Sequence, residues 1–141
     1  MIALPAWPGS VLFAAGLNLV VAPQLPADVR AALEGKAVRI WVRESRLRFD
    51  VSWRWGRFTP LAGLKTPDLA IGASLRDFVL LAQRREDPDT LFFARRLIME
   101  GDTELGLLLK NTIDALDLAL LDPARMPWRA FDSIFPTRHP S

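Results

Sequence analysis

The sequence has no cysteine and only one histidine among its 141 residues. Without cysteine, disulfide bonds, thiol catalysis and cysteine-ligated metal are excluded, and a reducing compartment is permitted but not proved. The histidine, His139, lies near the end of a proline-rich tail, where neither a Ser-His-Asp triad nor a histidine metal site is expected. A glycine-rich phosphate loop is also missing, because Gly63 and Gly72 are isolated. We therefore predict a protein without enzyme activity, bound metal or cofactor.

Charge of either sign is scarce near the amino-terminal end, since the run from Trp7 to Ala22 has no charged residue. A secretory signal would need basic residues ahead of its apolar part, and the first arginine is Arg30. A membrane-spanning helix needs about 20 apolar residues, and this run is shorter and contains a proline, a glycine and an asparagine. We predict a helix over about Ser10 to Val21, capped by Ser10, that is either buried or lying on a membrane.

A pattern of alternating apolar and polar residues fills the middle of the chain, after a short helix predicted from Pro26 to Gly35. It begins at Val38 and resumes from Leu47 to Trp55. A period of two predicts strands that bury one face and expose the other to water. Two further strands are predicted over Phe58–Ala62 and Asp68–Ala73, followed by a helix that Ser74 caps and that extends to about Arg85.

The segment from Glu86 to Asp117 is predicted to form a turn, a strand, a tight turn and a long helix. We predict the strand over Leu91–Met99, because it is rich in aromatic and branched residues and bounded by turn residues. Arg95 and Arg96 would then lie on opposite faces of an edge strand. Asp102 or Thr103 is the expected N-cap of the helix, whose leucines recur at helical spacing. Three polar residues are predicted on its opposite side: Lys110, Asp114 and Asp117.

The segment from Phe78 to Lys110 resembles the carboxyl-terminal half of a sterol-carrier-protein (type two) domain. The motifs that carry the likeness are Phe78-x-x-Leu81, Asp87-Pro88 and Glu100-Gly101-Asp102. The longer run from Asp87 to Asn111, together with the run from Leu33 to Val42, is similar to one branch of that family, the bacterial ubiquinone-biosynthesis accessory factors of the UbiT type. The likeness covers roughly residues 17–117.

The resemblance implies an α+β fold in which one mostly antiparallel five-stranded sheet has helices packed on one face, enclosing an apolar cavity. It also implies a lipid-binding domain over residues 1–121. Residues 122–141 are then a proline-rich tail, for which a lid, a membrane foot and a surface strap remain open. By the same resemblance, the lipid-contacting residues are expected to be Leu12, Leu17, Phe78, Leu81, Phe92, Phe93, Leu105, Leu108, Leu109, Ile113, Leu116, Trp128 and Phe131.

The function that the resemblance implies is that of a non-catalytic accessory factor in the oxygen-independent branch of ubiquinone biosynthesis. Such a factor would bind isoprenoid-phenol intermediates, or the quinone itself, and present them to modifying enzymes, with the iron–sulfur hydroxylase subunits UbiU and UbiV as the family's partners. The protein would act in the cytoplasm, or peripherally on the anionic surface of the inner membrane. The membrane-contacting residues would be arginines of the basic sheet face: Arg39, Arg43, Arg48 and Arg54.

Two alternatives remain open at this point. A phospholipid or fatty-acid carrier with the same fold differs only in its cargo, and no residue in the apolar set names a head-group partner. The other alternative is a module that binds single-stranded nucleic acid, with Trp41 stacking on bases among the basic residues of the sheet. The formal charge of +2 is too small to imply a nucleic-acid partner by itself.

Overall fold

The computed structural model describes residues 6–63 and 66–118. The described strands are β1 (Ala37–Val42), β2 (Arg48–Arg54), β3 (Arg57–Pro60), β4 (Leu69–Ala73) and β5 (Ile98–Gly101). The described helices are α1 (Ala6–Val20), α2 (Ala27–Leu33), α3 (Leu75–Ala82), α4 (Pro88–Phe93) and α5 (Thr103–Ala115), with a short 3₁₀ turn at Ala22–Gln24.

The strands form one sheet in the order β3-β2-β1-β4-β5, which is the predicted α+β architecture. β2 pairs antiparallel with β1 and β3, and β5 pairs antiparallel with β4. β1 and β4 pair in parallel, with Ile40 opposite Ile71. A parallel pair needs a crossover between its strands, which here runs through β2 and β3. The sheet is therefore mixed, and mostly antiparallel as predicted.

The first helix begins at Ala6, before the predicted start at Ser10, and Ser10 is not its cap. Ser10 lies inside α1, fully buried, and its Oγ accepts a hydrogen bond from the backbone N–H of Asp50 at 3.0 Å. A serine next to an apolar run is a common cap, but its hydroxyl can equally accept a hydrogen bond from an unpaired backbone N–H of a strand. Ser10 thus joins α1 to β2.

The predicted strand over Leu91–Met99 is wrong for most of its length. Asp87 caps α4 instead, because its carboxylate accepts hydrogen bonds from the backbone N–H and the hydroxyl of Thr90, at 2.7 and 3.0 Å. Pro88 takes the first helical position, where its missing N–H is harmless. This local capping prevails over the strand preference of the aromatic residues, which depends strongly on context.

Arg95 and Arg96 do not lie in an edge strand, since both belong to the turn between α4 and β5. Arg95 has a positive φ of 60°. The guanidinium of Arg96 donates to both carboxylate oxygens of buried Asp77, at 2.6 and 3.3 Å. These side-chain hydrogen bonds from Arg96 are the main cause that holds the pKa of Asp77 below its usual value. The pair fixes α3 against this turn.

The outward face of the sheet is less exposed to water than the alternation predicts. Asp50 and Ser52 are only 2% and 1% exposed. The carboxylate of Asp50 pairs with the guanidinium of Arg39 at 2.8 Å. Next to this pair, the indole ring of Trp41 lies over Gly72 in the neighbouring strand, where a Cβ would overlap the ring. An ion pair and a packed indole ring therefore cover part of this face.

Asp102 is confirmed as the N-cap of α5, since its carboxylate accepts the backbone N–H of Leu105 at 3.0 Å. The prediction that Lys110 lies on the solvent side of this helix is wrong. Lys110 is 7% exposed, its ammonium group pairs with Asp89, and it lies 5.4 Å from the ring centre of Phe92. A buried ammonium needs such partners, and they come from α4.

Candidate lipid-binding pocket

An apolar hollow of about 420 Å³ lies between the sheet and the helices, and we call it the pocket. Its floor is the inward face of the sheet, where Val38 and Ile40 of β1, Val51 of β2 and Ile71 of β4 all point into it. Alternate residues of a strand share one face, so the period of two that predicts these strands also brings these side chains together.

Helix α1 forms one wall of the pocket. Phe13 and Leu17 face inward from it, and the ring of Phe13 stacks on that of Phe49, with centres 4.8 Å apart and planes 13° apart. Asn18 fixes the helix to β3, because its side-chain amide accepts from the backbone N–H of Phe58 at 2.6 Å and donates to the carbonyl of Phe58 at 2.8 Å. This pairing holds the wall to the edge of the sheet.

The opposite wall comes from α3 and α5. Phe78 and Leu81 of α3 line the pocket, together with Leu109 and Ile113 of α5 and Leu116 directly after it. Both helices begin with a capping side chain, since Ser74 accepts the backbone N–H of Asp77 at 3.0 Å at the start of α3 and the acidic cap of α5 is given above. Their inward faces are therefore fixed by local chemistry at each helix start.

The pocket offers almost no polar group to a ligand. Its one polar lining side chain among the described residues is Thr112, and the hydroxyl of Thr112 already donates to the carbonyl of Leu108 at 2.7 Å. No charged side chain lines it within residues 6–63 and 66–118. Pockets of this size that are mostly apolar suit small-molecule ligands, and the chemistry of this one favours an apolar chain over a charged group.

The model of the SCP-2 sterol transfer family matches residues 20–114, which contain the whole sheet, α2 to α4 and all but the last residue of α5. The chain belongs to the SCP-2 sterol transfer family. This confirms the family that the Phe-x-x-Leu, Asp-Pro and Glu-Gly-Asp motifs indicate. The match begins at the last residue of α1, so the rest of that pocket wall lies outside the matched range.

Among curated proteins, this chain is similar to the ubiquinone biosynthesis accessory factor UbiT of Escherichia coli (strain K12). The two are 41% identical over 92 residues, which cover 65% of this chain and 52% of the relative. The same similarity is found for the UbiT proteins of two further strains, O6:H1 and O157:H7. The chain spans about half the length of the curated relatives that it matches.

Solved structures of the SCP-2 family share the fold at low sequence identity. The structure described as "UbiJ-SCP2 Ubiquinone synthesis protein" aligns with a TM-score of 0.59 at 18% identity, over 77% of this chain and 95% of that one. The sterol carrier protein domain 2 of Helicoverpa armigera aligns with a TM-score of 0.54 at 14% identity, over 78% and 86% of the two chains. These alignments show the fold.

Six of the residues that the resemblance marks as lipid-contacting line the pocket. They are Leu17, Phe78, Leu81, Leu109, Ile113 and Leu116. Two others belong to the core instead, since Leu105 is fully buried and Leu108 packs half-buried against the core cluster. Trp128 and Phe131 lie outside the described residues. The SCP-2 family fold thus brings part of the expected set to one place.

The remaining three of the expected residues point elsewhere. Leu12 lies on the outer face of α1 and is 71% exposed. Phe93 is 77% exposed, and Phe92 packs edge-on against it, with ring centres 5.6 Å apart, beneath Lys110. The expectation for the two phenylalanines follows from placing them in a strand, and it fails because they end the short helix α4.

The strand residues that line the pocket, and Phe13 of the α1 wall, are missing from the expected set. Phe13, Phe49, Phe58 and Ile40 all line the pocket. The signal that would have found the strand residues is their period of two, because every second residue of β1 and β2 faces the helices. Phe13 gives no comparable signal, since α1 is apolar on nearly all sides and its inward face cannot be read from the pattern.

The four arginines expected at a membrane have different surroundings. Arg39 is paired with Asp50, and Arg43 donates a hydrogen bond to the carbonyl of Arg95 at 3.3 Å. Arg48 and Arg54, at the two ends of β2, are exposed. Trp41, proposed above as a stacking platform for bases, is half-buried over Gly72 and offers less of its ring than the alternation predicts.

Within residues 6–63 and 66–118, no group of three or more histidine, cysteine or acidic side chains is placed to hold a metal ion. Among the helices in the same ranges, none has the length and hydrophobicity that a membrane crossing requires.

Proposed function

We propose that the protein is a non-catalytic lipid-binding accessory factor of ubiquinone biosynthesis. It holds isoprenoid-phenol intermediates with their chains in the pocket and presents them to modifying enzymes. The observation that carries the proposal is the apolar lining of a hollow of about 420 Å³ in a domain of the SCP-2 family. A polyprenyl chain gains about 0.8 kcal/mol for each methylene that it buries, so such a lining binds it without a polar partner.

The similarity to UbiT supports the choice of pathway. A polyprenyl phenol is too apolar to reach a soluble enzyme unaided, which gives a carrier its role. In this proposal the protein acts in the oxygen-independent branch, with UbiU and UbiV as the partners that receive the lipid. Residues 1–121 form the lipid-binding domain, and residues 122–141 are a tail that covers the pocket, contacts the membrane or packs on the surface.

We also propose that the protein works in the cytoplasm and touches the anionic inner membrane as it takes up lipid. The support is the outer face of α1, where Leu12 and Leu19 are 71% and 73% exposed. The helix has no acidic residue in its first turn and no basic residue in its last. The exposed side chains of Arg48 and Arg54 would add about 1 kcal/mol each near anionic lipid.

The experiment that tests the function starts from protein purified gently from cells that make quinone. The lipid is extracted with organic solvent and identified by mass spectrometry. A prenylated phenol or quinone at near-stoichiometric amount supports the proposal. Phospholipid or fatty acid alone would favour a general lipid carrier and contradict the assignment to ubiquinone biosynthesis. An empty extract, with no uptake of added polyprenyl phenol, would contradict lipid carriage.

A further inference from the structure

A smaller hollow of about 100 Å³ adjoins the pocket, and we call it the cleft. It lies between the end of α3, the turn that leads to α4 and the end of α5. Leu81, Ile113 and Leu116 line both hollows. These three apolar side chains form the boundary between the two hollows.

The cleft differs from the pocket because charged side chains line it. One of them, Arg84, has a structural task at the end of α5. Its two terminal nitrogens donate to the carbonyls of Leu116 at 2.8 Å and Asp114 at 3.2 Å. A cation placed there satisfies carbonyl groups that a helix end leaves unpaired. The guanidinium of Arg84 is therefore directed towards the backbone.

Three acidic residues line the cleft with it: Glu86, Asp87 and Asp114. Glu86 pairs with Arg96 at 3.4 Å. Asp87 accepts two hydrogen bonds from Thr90, and the one from the backbone N–H is the main cause that lowers the pKa of Asp87, so it stays ionised. The carboxylate of Asp114 has no hydrogen bond or ion pair with the residues in 6–63 and 66–118.

The charge balance of the cleft is therefore negative. Three carboxylates stand against one guanidinium, and if Arg96 is counted against Glu86, two carboxylates remain for Arg84. A carboxylate accepts hydrogen bonds and gives none. A neutral hydroxyl group can donate to it, whereas an anionic group meets a like charge and must also lose its water.

We propose that the cleft is the head-group site of the bound lipid, and that it selects a neutral, hydroxyl-bearing ring over an anionic head group. The inference rests on the proposed function, because it assumes that an apolar chain occupies the pocket. The ring hydroxyl donates to the carboxylate of Asp114, and Glu86 and Asp87 maintain the negative potential. Phosphate and carboxylate head groups are disfavoured by the same three groups.

The test compares two probes that differ in one charge: a farnesyl phenol and the same molecule with a carboxylate on its ring. Their affinities for the full chain are measured at low salt by displacement of a fluorescent lipid. The wild-type protein should prefer the neutral probe. Asp114→Asn should reduce the ratio of the two affinities about fivefold, which is the effect expected from removing one like-charge contact at about 4 Å in water. Asp28→Asn, an exposed acid at the start of α2, is the matched control and should leave the ratio unchanged.

A second measurement locates the ring without relying on charge. The sequence has no cysteine, so Asp114→Cys gives a single attachment point for a nitroxide label. In NMR spectra, the ring protons of the bound farnesyl phenol should broaden strongly with the label at 114 and weakly with a label at Asp28→Cys.

The outcomes separate the two proposals. Binding of both probes with a ratio that Asp114→Asn does not change, or equal broadening from both labels, overturns the head-group site and leaves the carrier function standing. A preference for the anionic probe overturns the site as well. Failure of both probes to displace the fluorescent lipid overturns the carrier function, and the head-group site falls with it.

Discussion

Gly72 lies beneath the indole ring of Trp41, and the two residues sit opposite each other in the parallel pair of β1 and β4. Glycine in a strand usually weakens it, but here its missing side chain makes room for a ring that covers the backbone. Several residues of this protein likewise pack against, or bond to, one specific partner that is distant in the sequence.

The pair predicts opposite results for one substitution at two glycines. Gly72→Ala should lower the free energy of unfolding by about 1–3 kcal/mol, because the added methyl group displaces the ring of Trp41. Gly16→Ala, the matched control, should raise it by roughly 0.5–1 kcal/mol, since nothing lies within 4 Å of a Cβ at that position of α1. Urea unfolding measures both. Equal effects at the two sites would contradict the packing of Trp41 on Gly72.

The carboxylate of Asp77 predicts how stability depends on pH. Hydrogen bonds from Arg96 lower the pKa of Asp77 in the folded state, so its contribution is complete above the unfolded pKa of about 3.9. It is lost as the pH falls through the folded value. Urea midpoints measured from pH 6 to pH 2.5 should therefore fall at the acid end. Asp77→Asn should flatten that fall, and an unchanged slope would show that the pair does not contribute.

At the scale of elements, the alternating pattern predicts β1 and β2, and polar residues before apolar runs predict the caps Ser74 and Asp102. Both signals are local, so they can be read from the chain. Two of the failures are long-range: Ser10 accepts a hydrogen bond from a strand residue 40 positions away, and Lys110 pairs with an acidic residue on another helix. The strand predicted from Leu91 is wrong because Asp87, just before it, caps the helix α4 instead. The floor of the pocket can be predicted from the alternation in its strands, whereas the α1 wall cannot, because α1 is apolar on nearly all sides.

The attachment of α1 to β3 can be tested at Asn18. Asn18→Ala should lower the free energy of unfolding by about 1–3 kcal/mol, because it leaves two backbone groups of Phe58 without partners. The amide of Phe58 should also exchange its hydrogen faster, which a merely local change in the helix would not cause. Asn111→Ala, an exposed asparagine of α5, is the control for losing the same side chain.

The pocket itself can be filled from its floor. Ile40→Trp should reduce the amount of co-purified lipid, since displacing even one methylene, worth about 0.8 kcal/mol, lowers affinity about fourfold. Leu107→Trp adds the same ring at an exposed residue of α5 outside the pocket lining and should leave lipid content unchanged. Urea unfolding confirms that both variants fold. Full lipid content in a folded Ile40→Trp protein would show that the lipid lies elsewhere.

At the scale of the whole molecule, α1 has a different environment on each side. Its inward residues line the pocket, and its outward residues Val11, Leu12 and Leu19 are 41%, 71% and 73% exposed. One helix therefore separates the hollow from the surroundings, with apolar side chains on both sides. A lipid that moves between a bilayer and the pocket along this helix stays close to apolar groups.

The outer face of α1 predicts a defined membrane behaviour. The wild-type protein should float with liposomes that contain anionic lipid, and salt should weaken this binding. The double variant Leu12→Glu with Leu19→Glu should lower the partition at least about tenfold, because two leucines no longer enter the interface. Leu107→Glu, at an exposed apolar residue of α5, is the control. Equal binding to neutral vesicles would contradict an electrostatic contribution to membrane binding.

The unfilled volume of the pocket links the lifetime of the protein to its cargo. Atoms that line a void lack contacts on one side, and a ligand that binds only the folded chain raises its stability, by about 2.7 kcal/mol at a hundredfold excess over its dissociation constant. Proteases act on transiently open molecules in proportion to their population. Loaded copies would then outlast empty ones, and the cellular amount of this protein would follow the supply of its lipid.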